Sequence, residues 1–204
     1  MAHSLFSDTT MASLHDQVCT HFGELPALRP IPPEEYFWQL CESIIGQQLS
    51  EKVAPQIVTR VRAVLKENLI PETVLATSDL DLRGAGLSFS KASYLKNVAT
   101  FWLDPANTLE HFTQMSDEQL ITHLTQIKGV GRWTVEMFLI FTMQRGDVFS
   151  AGDYGLRRAA LRAYNLPDTT TPRELTALAC QWSPHRSLAC RVLWKSLEIP
   201  HTHT

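Results

Sequence analysis

Apolar residues recur at helical spacing along almost all of this 204-residue chain, and this periodicity restricts the fold to packed helices. Residues 34–49 show the pattern after a proline-rich stretch, and residues 51–66 show it again, with Ser50 placed to cap them. No alternating strand followed by an Asn-Gly turn is found. The predicted fold class is therefore all-α. Further helices are predicted over 90–103, 116–127, 132–143 and 154–163, and from Thr171 and Ser183 onward.

Composition favours a globular protein, since 44% of the residues are hydrophobic and 19% are charged. The longest apolar run, Met137–Phe141, is too short to span a membrane. Residues 1–8 lack the basic and apolar regions of a secretion signal. We therefore expect no membrane partner and no secretion, and a location in the cytoplasm or nucleoid of a prokaryote or the nucleus of a eukaryote. The four scattered cysteines form no C-x-x-C pair, so reduced thiols are expected.

Charge is unevenly distributed along the chain, although the formal net charge is only −3. Residues 1–50 carry one arginine against six carboxylates, whereas residues 128–162 carry six basic side chains against three acidic ones. A local basic face matters more for phosphate binding than the charge of the whole chain. Residues 128–162 are therefore a candidate contact for an anion, although such a face is also common on solvated surfaces.

Gly129-Val130-Gly131 lies between two predicted helices and is the most informative short motif. Glycines tolerate positive φ, and their lack of side chains lets backbone N–H groups approach an anion such as a phosphodiester oxygen. Alone, the pattern equally suits an ordinary helical turn. Asp153 follows Gly152 at a predicted helix N-terminus, where an isolated Asp is typically a cap.

Together, the hairpin, the helix after it, the short loop and Gly152-Asp153 resemble the helix-hairpin-helix superfamily of DNA base-excision glycosylases. Within it, the chain is most similar to the alkylpurine branch, 3-methyladenine DNA glycosylase II, over residues 35–198. The resemblance implies a two-lobed helical fold with the active-site cleft between the lobes. It also implies a single glycosylase domain over residues 1–204, with the helix-hairpin-helix motif at about 117–143 and without the N-terminal β domain of the bacterial type member. The matching segments are Ser43–Ser50, Gly131–Thr134, Asp147–Phe149, Asp153-Tyr154 and Trp182–Ser187.

The resemblance implies a monofunctional enzyme that flips alkylated purines such as 3-methyladenine or 7-methylguanine out of double-stranded DNA and hydrolyses their N-glycosidic bond in base excision repair. Trp133 occupies the position of the Schiff-base lysine of bifunctional members, so no lyase activity is expected. Cys180 and Cys190 cannot supply the four ligands of an iron–sulfur cluster. We expect a monomer that needs no cofactor other than a structural monovalent cation at the hairpin.

By position in the family motifs, the resemblance implies roles for individual residues. Asp153 is the expected catalytic carboxylate, which stabilises an oxocarbenium-like sugar and orients or deprotonates water. The expected base-pocket residues are Trp133, Met137, Tyr154 and Trp194. The expected DNA-binding residues are Gly129, Val130, Gly131, Thr134 and the wedge Phe89. The expected cation ligands are the main-chain carbonyls of Thr125, Ile127 and Val130.

Several alternatives stay open at this level. Phe89 or the neighbouring Leu87 equally suits a core position, and the large aromatics of the predicted pocket are individually typical of cores. Met137, Gly155 and His185 replace a tyrosine, a leucine and a tryptophan of the type member, which predicts a smaller and less aromatic pocket.

Two other functions also fit the sequence. The chain could be a glycosylase for deaminated or oxidised purines, or a noncatalytic helix-hairpin-helix protein that binds damaged DNA. Asp153 and the aromatic set argue against the noncatalytic function, because a phosphate clamp needs neither. His201 and His203 are interpreted as part of a polar tail rather than as metal ligands.

Overall fold

The computed structural model describes residues 5–50 and 52–200, and within those residues it contains helices and no strand. The all-α prediction is confirmed. His201 and His203 lie outside the described residues. None of the helices in the described ranges is both long and apolar enough to cross a bilayer.

Twelve α-helices are present in the described part of the chain. Helix α9 continues directly into a π-helical turn over Phe138–Thr142, and short 3-10 turns occupy Pro33–Glu35 and Cys180–Trp182. The helices are α1 (Thr9–Phe22), α2 (Tyr36–Gly46), α3 (Ala54–Val64), α4 (Pro71–Ala76), α5 (Asp79–Gly84), α6 (Phe89–Trp102), α7 (Leu109–Gln114), α8 (Asp117–Leu124), α9 (Arg132–Met137), α10 (Tyr154–Ala163), α11 (Pro172–Ala179) and α12 (Arg186–Ser196).

The chain divides into two compact units, of which one comprises residues 30–143 and holds α2 to α9. Helix α2 is apolar on most of its circumference and packs against α3, α6 and α9. Edge-to-face contacts extend its core from Phe37 through Trp102 to Phe112. This central helix supports the loops that follow its C-terminus, which belong to the candidate site.

The other unit comprises residues 1–29 and 144–204, and its helices are α1, α10, α11 and α12. Helix α1 packs on α12 and α10, and α10 also packs on α12. Asp8 caps α1 and accepts a hydrogen bond from the Tyr164 hydroxyl, which in turn accepts one from the buried Trp182 indole (2.8 Å). These bonds fasten the N-terminal helix to the C-terminal part of the chain.

Local capping signals predicted some helix starts correctly and others wrongly. Ser116 and Thr171 both form the predicted capping boxes. Ser50 does not cap a helix with its side chain, because α3 begins only at Ala54 after a turn in which the Ser50 carbonyl accepts two amides. Ser183 does not open α12 either, since its hydroxyl donates instead to the Asp147 carboxylate (2.8 Å).

Candidate active site and DNA-contact surface

The predicted hairpin is the turn between α8 and α9, and its two glycines do different things. Gly129 has φ +105°, and a Cβ there would lie 2.1 Å from the Tyr94 ring, so this position requires glycine. Gly131 has φ −95° and caps α9, with no other atom within 4 Å of the place its Cβ would take. Of the two hairpin glycines, Gly129 is the one that uses positive φ. The missing side chain of Gly131 instead leaves open space at the start of α9.

Side chains from α6 and from the loop that follows α2 hold this turn in place. Asn97 donates to the Lys128 carbonyl (3.0 Å), and the Gln47 amide donates to the Gly129 carbonyl (3.3 Å) and the Thr134 hydroxyl (3.1 Å). Thr134 is buried, so its hydroxyl serves this internal bond. The backbone of the hairpin is therefore fixed from outside the motif itself.

Lys91 fixes a neighbouring segment, the loop that follows α2. Its ammonium group donates to the carbonyls of Ile45 (2.8 Å) and Gln47 (2.6 Å), and burial lowers the pKa of this lysine. Gln48, which follows Gln47 in this loop, is exposed and has the left-handed φ of +57°. Neither Gln47 nor Lys91 was assigned a role from the sequence motifs. Gln47 stands inside the quoted segment Ser43–Ser50, but its bonds to the hairpin have no local sequence signal.

Phe89, the predicted wedge, is the first residue of α6 and is 66% exposed. Leu87, the neighbour considered beside it, is only 4% exposed and belongs to the core. The Arg83 guanidinium carbon lies 3.5 Å from the centroid of the Phe89 ring, which is a cation–π arrangement. Of these two apolar side chains, Phe89 is the one that is presented to solvent.

Trp133 and Met137 lie one helical turn apart on α9, and Trp133 is 42% exposed. The adjacent Arg132 forms ion pairs with Glu118 and with the buried Glu136 (2.8 Å). The hydrogen bonding that Arg132 donates to the Glu118 carboxylate is the main reason why the pKa of Arg132 lies above its ordinary value. These pairs neutralise part of the positive charge that the sequence predicted for this segment.

Asp153 caps α10, and the same carboxylate contacts α12. Its Oδ1 accepts hydrogen bonds from the Leu156 amide (2.7 Å) and from the Trp194 indole Nε1 (2.9 Å). The adjacent Tyr154 is 72% exposed. Being a helix cap does not prevent Asp153 from being catalytic, because a carboxylate has two oxygens and about four lone-pair sites.

The loop before Asp153 is anchored to the start of α12. The Asp147 carboxylate accepts two bonds from the Arg186 guanidinium (2.8 and 3.0 Å), and these bonds are the main cause of its lowered pKa. The Ser187 hydroxyl donates to the Arg145 carbonyl (2.5 Å) and accepts from the Val148 amide (3.0 Å). The backbone that leads to Asp153 is thereby held at several points.

The predicted site residues fall into two groups, one in each compact unit. Residues 30–143 contain Phe89, Trp133, Met137, the hairpin residues and the carbonyls proposed for the cation, Thr125, Ile127 and Val130. Residues 1–29 and 144–204 contain Asp153, Tyr154 and Trp194. Among the described residues, no group of three or more His, Cys, Asp or Glu side chains is placed to hold a metal ion.

Comparison with known proteins gave matches in both sequence and structure. The sequence profile of the family described as HhH-GPD superfamily base excision DNA repair protein matches residues 41–185. The DNA-3-methyladenine glycosylase 1 of Schizosaccharomyces pombe is 33% identical over 175 residues, which cover 84% of this chain and 76% of that protein.

Two solved structures are similar over nearly the whole chain. The crystal structure of a DNA-3-methyladenine glycosidase from Bacillus halodurans has a TM-score of 0.79 at 33% identity, covering 94% of this chain and 86% of that one. The S. pombe 3-methyladenine DNA glycosylase Mag1 in complex with abasic DNA has a TM-score of 0.78 at 31% identity. That match covers 95% of this chain and 93% of that one.

Proposed function

Because the chain belongs to the HhH-GPD superfamily of base excision DNA repair proteins, we propose that it is a monofunctional DNA glycosylase that removes alkylated purines from double-stranded DNA. The family predicted from the sequence motifs is confirmed. The proposal concerns the lesion and the roles of individual residues. The enzyme hydrolyses the N-glycosidic bond and leaves an abasic site in the DNA.

The match to the S. pombe enzyme is the observation that carries this proposal. That protein is named for 3-methyladenine, and its structure holds abasic DNA, which is what base excision leaves behind. The two chains correspond over 95% of this one and 93% of the other, so the similarity includes both compact units. The named lesion and the bound product together favour excision of alkylated bases over simple recognition of damage.

Asp153 supplies the chemistry in this proposal. Alkylation at a purine ring nitrogen gives the base a positive charge, so the base departs readily and the sugar develops oxocarbenium character. A carboxylate facing that sugar stabilises the cation and orients or deprotonates the attacking water. The position of the family's Schiff-base lysine is Trp133, and an indole is not a nucleophile, so lyase chemistry by that route is excluded.

Aromatic side chains supply selectivity for a cationic base, since cation–π attraction favours it over a neutral one by about 0.5–2 kcal/mol. Trp133 and Tyr154 are the exposed aromatic members of the predicted pocket, and Met137 adds a polarisable thioether. The open start of α9 at Gly131 receives a phosphate of the DNA backbone, together with the amides of Gly129 and Thr134. Phe89 fills the space left by the flipped nucleotide.

A monovalent cation fits the chemistry of the hairpin turn, where the proposed ligands are neutral carbonyl oxygens. The Ile127 carbonyl already accepts the Val130 amide (3.0 Å), and its second lone pair suits a cation. Thr125 and Val130 would complete the set, and the ion would add positive charge where a phosphate binds. We propose no other cofactor and a monomeric enzyme that acts where the genomic DNA is kept.

The experiment that tests this function is base release from defined duplexes, with the products separated by chromatography. Duplexes carrying 3-methyladenine, 7-methylguanine, a deaminated purine or an oxidised purine are compared. We expect release of the alkylated purines, without strand cleavage until the abasic sites are treated with alkali. Release of deaminated or oxidised purines alone would show that these, and not alkylated purines, are the substrates. Binding without any release would favour the noncatalytic function.

A further inference from the structure

We propose that Trp194 is a positioning residue that orients the Asp153 carboxylate through its indole N–H, and that Gly155 provides the space for this bond. This inference rests on the proposed function, because it concerns the same carboxylate. It changes the part assigned to Trp194, which the family resemblance placed on the wall of the base pocket.

Two hydrogen bonds hold one oxygen of the Asp153 carboxylate. Its Oδ1 is held by two donors from different elements, the Leu156 amide of α10 (2.7 Å) and the Trp194 indole of α12 (2.9 Å). The plane of an Asp carboxylate turns about the Cβ–Cγ bond, and two donors from different directions restrict this rotation more than a single donor does. With the plane restricted, the direction of the second oxygen, Oδ2, is restricted as well.

Gly155 lies beside both partners of the hydrogen bond between Trp194 and Asp153. A Cβ at this position would lie 3.2 Å from Asp153 Oδ1, 3.2 Å from Trp194 Cδ1 and 3.3 Å from Trp194 Nε1. A side chain at residue 155 would therefore press on both ends of the hydrogen bond at once. Gly155 is within helix α10 and its φ is not in the left-handed region, so the backbone itself does not require glycine. A side chain here is instead restricted by the indole and the carboxylate, one of which would have to shift by a few tenths of an ångström to admit a Cβ.

Orientation matters here because a carboxylate stabilises a developing cation only at a fixed distance and angle. A charge-assisted hydrogen bond from a partly buried indole fixes that geometry before the substrate arrives. The N–H edge of Trp194 is thus used by the catalytic residue, and this use is independent of any stacking by its ring.

The test measures single-turnover base release and DNA affinity for Trp194→Phe, Trp194→Leu, Gly155→Ala and the double variant Gly155→Ala/Trp194→Phe. We expect each single variant to lower the excision rate by about tenfold, with the dissociation constant for DNA within about twofold of wild type. Phe and Leu should act alike, because both lack the N–H. The double variant should lose no more than Trp194→Phe, because both changes break one bond.

Two outcomes would overturn the proposal. If Trp194→Phe retains the wild-type rate while Trp194→Leu loses it, the ring serves as a pocket wall and not as a donor. If the losses of Gly155→Ala and Trp194→Phe multiply in the double variant, the two residues act separately. Alanine favours a helix more than glycine does, so a rate loss in Gly155→Ala at an unchanged melting temperature is not explained by local unfolding.

A spectroscopic measurement keeps this inference separate from the proposed function. The five tryptophans give five indole N–H signals in a ¹⁵N-labelled sample, and Trp194→Phe identifies the one from residue 194. We expect that signal to shift and to exchange faster with solvent in Asp153→Ala and in Gly155→Ala. An unchanged signal in both would show that the bond does not form in solution. A wild-type enzyme that releases no base would instead contradict the proposed function itself.

Discussion

The two glycines of the hairpin differ in their surroundings, since the turn itself requires one of them and open space surrounds the other. Gly129 combines φ +105° with direct contact to the Tyr94 ring, so the turn cannot form with a larger residue there. Gly131 has ordinary backbone angles and open space, so nothing inside the described part of the protein requires a glycine there. The open space suits a phosphate that approaches the first amides of α9.

We therefore predict that the two alanine substitutions affect different properties, namely stability at Gly129 and DNA binding at Gly131. Gly129→Ala should lower the free energy of unfolding by about 2 kcal/mol or more, since it adds backbone strain and a clash with Tyr94. Gly131→Ala should change that free energy by less than about 0.5 kcal/mol but weaken DNA binding, because its methyl group enters the phosphate position. Chemical denaturation and DNA titration of both variants check this. Equal stability losses would contradict the distinction drawn between the glycines.

Elements of secondary structure were predicted well where their signals are local. The capping boxes at Ser116 and Thr171 use residues three positions apart, and both form as expected. No helix was predicted from the sequence at α1, and α4, α5 and α7 were missed because each has only six residues and too few apolar positions to show a period. Ser183 failed as a helix start because its hydroxyl is used by Asp147, 36 residues away.

In the candidate site, too, features with local sequence signals could be predicted and contacts between distant residues could not. Asp153 and the hairpin glycines could be proposed as site residues because the motif fixes their spacing along the chain. Lys91 was missed because its partners, the carbonyls of Ile45 and Gln47, are more than forty residues distant and belong to the backbone. Such contacts arise only when α2 and α6 pack together.

The loop between α9 and α10 offers a test at the scale of the element. The pKa of Asp147 lies below its ordinary value of 3.8, chiefly through the hydrogen bonds from Arg186. Since the folded state favours the ionised form, this stability is present above pH 3.8 and is lost as the pH falls through the lower folded-state value.

Asp147→Asn should therefore lower the free energy of unfolding by about 1–2 kcal/mol near pH 7. The difference from wild type should shrink as the pH is lowered from about 4 towards 2. Denaturation curves across this range measure it, with Glu72→Gln, an exposed carboxylate on α4, as the control. A difference that grows on acidification would show that the Asp147 pair does not stabilise the native loop.

At the scale of the molecule, the predicted site residues divide between the two compact units. Residues 30–143 hold the hairpin, Phe89 and Trp133, which are groups suited to the DNA backbone and the base. Residues 1–29 and 144–204 hold Asp153 with its indole partner, which is suited to the sugar. A net charge of −3 is compatible with DNA binding, because the basic side chains are concentrated over residues 128–162.

The central claim is that Asp153 performs excision, and one comparison tests it directly. Wild type and Asp153→Asn are assayed for single-turnover release of 3-methyladenine and for affinity to the same duplex. The amide keeps the shape of the side chain but cannot stabilise a cation or accept a proton, so we predict a rate loss of about a hundredfold or more with DNA affinity retained. Equal rates for the two proteins would contradict the account.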